Sequence, residues 1–374
     1  MRAWQINLQA HLGGGEVFTA FLSRALERLG VPTTLFVHRD AHYWPRLDLA
    51  RRTEIIPVTS PGEIKASLPR ERAWLLGHGP LPAALAADPR HLRTAVAHMP
   101  PQGRDPRAFD RHDLVLPVSG WVLEGLRAIG APAWEEPLYG VAELRGRADE
   151  GLRATSEYDF DRRKLRDRIL QRIHLGRAPI AYERRPGLAL GIVSRLTPIK
   201  QFPAQFAILA PLIAARAGVN LEIFGAGGYA SVRDFRRALR PLGERARFWG
   251  HQQNVAAAYA GLDYLMTGLP EKEALGLNVI EAQACGLPAL AVAAPPFTET
   301  MIEGETGYLY RDPREDGGAD FRRLLDELLA GKPRPDPRRA RAHLERFSLE
   351  AFTARAARLL PEIRARLGGP GPGR

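Results

Sequence analysis

The sequence predicts an α/β protein built from two parallel-sheet domains, and three observations carry that prediction. The chain has 374 residues, more than one hydrophobic core usually accommodates. Short apolar runs alternate with amphipathic helical stretches, the pattern of strands laid side by side with helices returning across them. That alternation stops near residue 145 in a highly charged stretch and restarts near 187. The expected organisation is an N-terminal domain over residues 1–150, a connector over 151–186 and a second domain over 187–345. A last helix is expected at 346–367, and the tail 368–374, GGPGPGR, has no means of packing and should be disordered.

In chain order, WQINL at 4–8 reads as a strand and GGG at 13–15 as a tight loop. EVFTAFLSRALERLG at 16–30 follows as a helix closed by Gly30. TTLFV, AWLLG, TAVAH and LVLPVS are further short strands, and Ser119 stands where it can cap the helix WVLEGLRAIG. The connector is poor in β-branched residues and should contain one helix. Beyond it come the strand LALGIVSRL, a helix near 202–216, LEIFGAGG, a helix near 229–241, ARFWG, AAAYAGLDYLMTG and the strand PALAVAA. In sheets of this kind ligands sit beyond the carboxyl ends of the strands, here in the cleft expected between the domains.

Composition narrows the class. Hydrophobic residues at 45% can build both cores, and charged residues at 25% fit a soluble globular enzyme. No apolar run is long enough to span a membrane. The N-terminal stretch is too short in apolar residues for a secretory signal, and the lone Cys285 cannot form an internal disulfide, so a cytoplasmic location is expected. The excess of 53 Lys+Arg over 42 Asp+Glu gives +11, a charge that attracts anionic lipid headgroups or phosphorylated substrates. Association with the inner face of a membrane is compatible with it. Only five of the 53 basic residues are lysines, a bias that GC-rich coding alone produces. No basic run carries interleaved aromatics, so nucleic acid is not an expected partner.

The stretch EALGLNVIE sets Glu273 and Glu281 on either side of Gly276. Gly276 lowers helix propensity and should mark the point where a loop becomes a helix over Leu277 to Cys285. Glu273 then lies in the loop and Glu281 in the second helical turn. Between them the amides of Leu277 and Asn278 open the helix without intrahelical acceptors, a site suited to an anion such as a diphosphate. One carboxylate on each side of that anion could accept hydrogen bonds from hydroxyls, and a molecule with hydroxylated rings on both sides of a diphosphate is a nucleotide sugar. The same two acids would also serve a plain helix start by favouring its dipole.

EALGLNVIEAQACGLPALA resembles the signature of retaining GT-B glycosyltransferases of family 4, in which two glutamates with seven residues between them precede a small-residue segment and Gly-x-Pro. GGGE at 13–16, SRLTPIK at 194–200, LEIFGAGG at 221–228 and ERFS at 345–348 match in the family's order. The resemblance implies two Rossmann-like domains facing a central cleft, with the last helix crossing back to the N-terminal domain. It implies a nucleoside-diphosphate-sugar donor, an acceptor hydroxyl, and no metal or other cofactor. Glu273 would contact donor-sugar hydroxyls, Glu281 would hold the ribose, and Arg195 and Lys200 would bind the diphosphate. Gly14 and Gly15 would let the N-terminal loop approach the phosphates and acceptor, with His98 beside the sugar. The family's front-face mechanism has the departing phosphate help deprotonate the acceptor. Closure of the two domains would exclude water.

Three departures stand out. Leu275 replaces the usual aromatic residue before the glycine, Gln201 the usual glycine after the lysine, and Tyr139 and Ala142 the usual Asn and Asp of a turn ending the N-terminal domain. His78 is a weaker companion to His98, Glu16 favours a helix dipole, Gly225 and Gly227 read as turn residues, and Cys285 reads as packing. Asp159 and Asp161 spell a metal-binding Asp-x-Asp in the charged connector, where a solvated linker is the expectation. His38 and His42 lack a third ligand. No phosphate-binding Walker loop, dinucleotide fingerprint or nucleophile elbow occurs. The expected activity is sugar transfer in a bacterial cell-envelope polysaccharide or glycolipid pathway, to a lipid-linked or anionic acceptor. A sugar-nucleotide 2-epimerase or a catalytically inactive nucleotide-sugar binder are the competing readings.

Overall fold

The computed structural model describes residues 1–143, 147–159, 169 and 180–369. They form two compact units, one of Met1–Ala142 with Glu345–Arg374 and one of Glu143–Leu344. The helix expected in the connector and the end of the tail fall outside the described residues.

The first unit holds a six-stranded parallel sheet in the order β3-β2-β1-β4-β5-β6. Its strands are β1 (Ala3–Asn7), β2 (Thr33–His38), β3 (Glu54–Val58), β4 (Trp74–His78), β5 (Leu92–Ala97) and β6 (Leu114–Pro117). Strand order reverses between β1 and β4, so Asn7 and His78 end neighbouring strands at the switch point. The edge strand β3 is absent from the sequence prediction because EIIPV contains Pro57 and is mostly exposed. An edge is where a sheet tolerates a residue without an N–H. The helix Gly14–Arg28 starts two residues earlier than its apolar periodicity indicates, because the glycines themselves form the first turn. Ser119 caps the helix Gly120–Ala128 as expected, its hydroxyl accepting from the Val122 amide at 3.1 Å. The C-terminal helix Leu349–Gly368 belongs to this unit and buries Phe352, Ala356, Leu359, Leu360 and Ile363 at helical spacing. Phe352 meets Phe18 of the helix Gly14–Arg28 edge to face at 5.2 Å between ring centres.

The second unit repeats the plan, with a six-stranded parallel sheet in the order β12-β11-β10-β7-β8-β9. Here β7 is Leu188–Val193, β8 Val219–Phe224, β9 Ala246–Gly250, β10 Tyr264–Met266, β11 Ala289–Val292 and β12 Gly307–Tyr310. Strand β8 is buried throughout, as a central parallel strand covered by helices on both faces must be. Phe202, Phe206 and Phe235 pack on one face with ring centres 5.3 and 5.4 Å apart. Strand β12 escaped the sequence reading because GYLY is only four residues long. The switch point lies between β7 and β10, so the loops after these two strands run side by side. Those loops carry Arg195 and Glu273.

Gln201 precedes the helix Phe202–Ala214 in the left-handed region, at φ 54° and ψ 23°, and is the one non-glycine residue with positive φ among the described residues. A side chain there costs roughly 1 kcal/mol or more relative to glycine. Gln201→Gly is therefore expected to stabilise the chain by about 0.5–1 kcal/mol after the entropy of the added glycine is subtracted. Urea denaturation checks this; a lowered midpoint would show that the Gln201 hydrogen bond to Glu271 outweighs the backbone strain.

Candidate functional site

In the second unit the sequence-predicted residues converge on the ends of β7 and β10. Lys200 Nζ forms an ion pair with Glu273 Oε2, with side chains only 21% and 15% exposed. The other carboxylate oxygen of Glu273 accepts from the backbone amides of Ala274 at 3.3 Å and Gly276 at 3.2 Å. Burial opposes ionisation of Glu273, yet the charge and hydrogen bond of Lys200, with the amides of Gly276 and Ala274, hold its carboxyl below the ordinary value. Lys200 is held in turn through its backbone, where its carbonyl accepts from Leu269 at 3.2 Å. A side chain at Gly268 would put its Cβ 2.1 Å from that carbonyl oxygen, so only glycine admits this approach.

Gly276 takes φ 80° and starts the helix Leu277–Ala284, the boundary the sequence indicates. Added atoms at Gly276 would also press on Phe297, 3.1 Å away. The amides of Leu277 and Asn278 open this helix. The Asn278 side chain is already engaged: its Nδ2 donates to the Val193 carbonyl at the end of β7, at 3.2 Å. That bond ties the helix start to the strand that leads into Ser194 and Arg195. Glu281 lies one turn further on, where Tyr259 donates its hydroxyl to Oε2 at 3.1 Å and stands 3.3 Å from the Asn278 carbonyl. Tyr259 is fully buried, and burial together with Glu281 raises its phenol well above the ordinary value, so it stays a donor. Sequence reasoning missed Tyr259. Its signal was present as one hydroxyl in the alanine-rich helix Val255–Ala260, because a buried tyrosine requires a partner for that hydroxyl.

Arg195 is exposed, and its guanidinium makes no ion pair among the described residues. Gly225 and Gly227 act in packing: a Cβ at either would lie 1.8 Å from the Ser194 carbonyl oxygen or 2.0 Å from that of Leu196. They let the loop after β8 close on the loop that carries Arg195. Gln201 donates to Glu271 at 2.9 Å, and Glu271 pairs with Arg314. Burial pushes the Cys285 thiol up to about 11, which leaves it unreactive at neutral pH. Leu275 is buried.

The first unit assembles a different kind of site. Gly14 and Gly15 form the first helical turn, and a Cβ on Gly15 would rest 3.6 Å from the His98 ring, in ordinary contact. His98 directly follows β5 and lies nearly parallel to His78, with ring centres 5.3 Å apart and Nε2 of His98 standing 3.0 Å from Nδ1 of His78. His78 Nε2 is 2.7 Å from Gln5 Oε1, and Thr19 Oγ1 is 3.0 Å from His78 Nδ1. Asn7 donates to Thr19 at 3.0 Å and to the buried Glu16 at 3.2 Å. His78 is thus fully part of the His98 environment, a greater share than the sequence assigned it.

Elsewhere the departures find structural use. The Tyr139 ring meets Phe347 edge to face at 5.8 Å, beneath the Arg346 and Arg355 guanidinium groups, and the Ala142 amide donates to the Phe347 carbonyl at 2.9 Å. Among the described residues no group of His, Cys, Asp and Glu has a metal-holding arrangement, His38 and His42 included. Asp161 lies outside the described residues. No described helix is long and apolar enough to cross a membrane.

Two sheets with this strand order, each followed by loops of this kind, define the GT-B fold, and comparison with known proteins agrees. Residues 187–330 match the family model described as glycosyl transferases group 1. N-acetyl-alpha-D-glucosaminyl L-malate synthase of Bacillus anthracis is 42% identical over 88 residues, covering 23% of each chain. D-inositol 3-phosphate glycosyltransferase of Rhodococcus erythropolis is 29% identical over 204 residues, covering 51% of this chain and 44% of that protein. The matches therefore span from under a quarter to about half of these curated relatives. Among solved structures, the Anabaena protein Alr3699/HepE in complex with UDP and glucose superposes with a TM-score of 0.70 at 16% identity, over 96% of this chain and 99% of that one. Sucrose-phosphate synthase of Thermosynechococcus elongatus gives 0.71, also at 16% identity, over 97% and 99%.

The histidine pair carries a stability signature. Burial lowers both imidazoles, with the neighbouring ring adding to the effect at His78, and brings His98 down to about 4. Unfolded histidines titrate near 6.5, so at neutral pH these groups cost nothing, whereas between roughly pH 6.5 and pH 4 the unfolded chain takes up protons the folded one refuses. The melting temperature is expected to fall across that window, and less steeply in a His78→Gln/His98→Gln double variant. Equal slopes for the two proteins would contradict this.

Proposed function

We propose that the chain is a glycosyltransferase moving a sugar from a nucleoside diphosphate to an acceptor hydroxyl with retention at the anomeric carbon. The observation that carries this reading is the Lys200–Glu273 ion pair set beside the opening amides of the helix Leu277–Ala284, inside the segment of glycosyltransferase group 1 type. The UDP and glucose of the Anabaena neighbour support a nucleotide-sugar donor, and the resemblance to family 4 supports retention.

In this mechanism the bond from the anomeric carbon to the diphosphate oxygen breaks while the acceptor oxygen bonds to the same carbon. The acceptor proton passes to the departing phosphate. Negative charge develops on that phosphate, and Arg195, Lys200 and the amides of Leu277 and Asn278 supply the opposing charge. Glu273 acts as a holder of the sugar. One of its oxygens is committed to Lys200 and the other to two backbone amides, and a carboxylate so stabilised is a poor nucleophile. Glu281, steadied by Tyr259, accepts from the ribose. In this reading His98 and the Gly14–Gly15 turn serve the sugar and the acceptor. A lipid-linked or anionic acceptor in the bacterial cell envelope agrees with the net charge of +11, and enzyme action would then take place at the inner face of the membrane.

Glu273→Gln is expected to lower kcat by about a hundredfold or more with the fold retained by circular dichroism. The assay is sugar transfer or donor hydrolysis, with the donor first chosen by thermal shift across nucleoside diphosphate sugars. Undiminished turnover would sink the assignment, and exchange at the sugar C2 without transfer would point to an epimerase. Glu281→Ala should weaken nucleoside diphosphate binding by about tenfold in calorimetry, the loss expected for one charge-assisted hydrogen-bonding partner.

A further inference from the structure

Gln5 is fully buried on β1, and its Nε2 has no hydrogen-bond partner among the described residues. Its Oε1, by contrast, is spent on a 2.7 Å contact with His78 Nε2. An amide oxygen only accepts, so the single proton of neutral His78 sits on Nε2 and its Nδ1 is left as an acceptor. His98 Nε2 stands 3.0 Å from that Nδ1 and must therefore donate. Neutral His98 then carries its proton on Nε2 and presents Nδ1 unprotonated, with no hydrogen bond made to Nδ1 among the described residues. The Thr19 hydroxyl, 2.8 Å from the Gly15 carbonyl and 3.0 Å from His78 Nδ1, has one proton for these two acceptors, and Phe18 packs edge-on against the His98 ring at 5.0 Å.

We propose that Gln5, acting through His78, is a positioning residue that fixes the tautomer of His98, so that Nδ1 is offered as an acceptor. The inference rests on the glycosyltransferase reading of His98. An acceptor nitrogen takes a hydrogen bond from a sugar hydroxyl and repels an unprotonated phosphate oxygen. It thus assigns His98 to the sugar and leaves the diphosphate to Arg195 and Lys200. The orientation of one amide decides this: with Gln5 turned over, its Nε2 would donate to His78, and the proton of His98 would move to Nδ1.

The test is 15N NMR of the full-length protein labelled at histidine, with the two resonance sets assigned from His78→Asn and His98→Asn. Wild type is expected to show His98 as the Nε2–H tautomer. Gln5→Glu, which keeps an accepting oxygen, should preserve it, whereas Gln5→Leu should give a mixture. In transfer assays Gln5→Leu should lower kcat by about tenfold with donor KM changed by less than about twofold, and Gln5→Glu should retain most of the rate. An Nδ1–H tautomer in wild type overturns the inference even if Gln5→Leu fails to fold, and so does a tautomer unmoved by a folded Gln5→Leu. Tautomers that behave as expected in a protein that transfers no sugar would overturn the glycosyltransferase reading and leave this role of Gln5 standing.

Discussion

The pairing of Lys200 with Glu273 is the constraint from which the geometry of the second unit's site follows. Both charges are largely withdrawn from water, and neither could be held there alone, because an isolated buried charge costs several kcal/mol. Meeting that condition fixes the chain on both sides. The carboxylate draws the amides of Ala274 and Gly276 to its second oxygen, which curls residues 273–276 into a tight turn. The turn ends in a left-handed backbone that only glycine takes readily, and the helix Leu277–Ala284 begins there. Asn278 then pins the helix start to β7, and Tyr259 pins Glu281 one turn later. An anion arriving at the helix N-terminus would find Lys200 already oriented, with its charge balanced until the anion competes for it.

The two units place similar βα loops at the switch points of similar sheets but solve opposite electrostatic problems. In the second, charge is retained by pairing. In the first, charge is refused: His78 and His98 lie so close that protonating one disfavours the other, and burial lowers both. Each ring nitrogen between Gln5 and His98 Nε2 has a polar neighbour within 3.0 Å. A paired cation in one unit and neutral hydrogen-bonding rings in the other are thus two different ways of keeping polar groups out of water.

Much of this was legible in the sequence, and the reasons for the gaps are physical. Parallel strands buried on both faces announce themselves as apolar runs, so β1, β2, β4, β7 and β8 were plain. An exposed strand interrupted by proline does not, and β3 with Pro57 was lost for that reason, as β12 was for having only four residues. The Gly276 boundary could be read because one residue type both breaks the helix and permits φ 80°. Partnerships could not. Nothing in the spacing of Lys200 and Glu273, 73 positions apart, says that they pair with each other. The spacing of Gln5 and His78, likewise 73 apart, is as silent about which ring nitrogen is protonated. Such facts depend on which strands lie side by side, and the reversal of strand order at each switch point brings distant segments together.

Under the proposed function, the number of lone pairs on its carboxylate limits what Glu273 can do with a sugar. An ionised carboxylate offers about four lone-pair positions. Among the described residues, Lys200, Ala274 and Gly276 occupy three, so one remains for a hydroxyl unless a partner leaves. The two amides belong to the turn and cannot leave without unwinding the helix start. Lys200 is the one partner on a flexible side chain, and a diphosphate would draw it away. Donor binding would then free a second lone pair of Glu273 as the phosphates engage Lys200, so recognition of the sugar would be coupled to recognition of the phosphate through a single ammonium group.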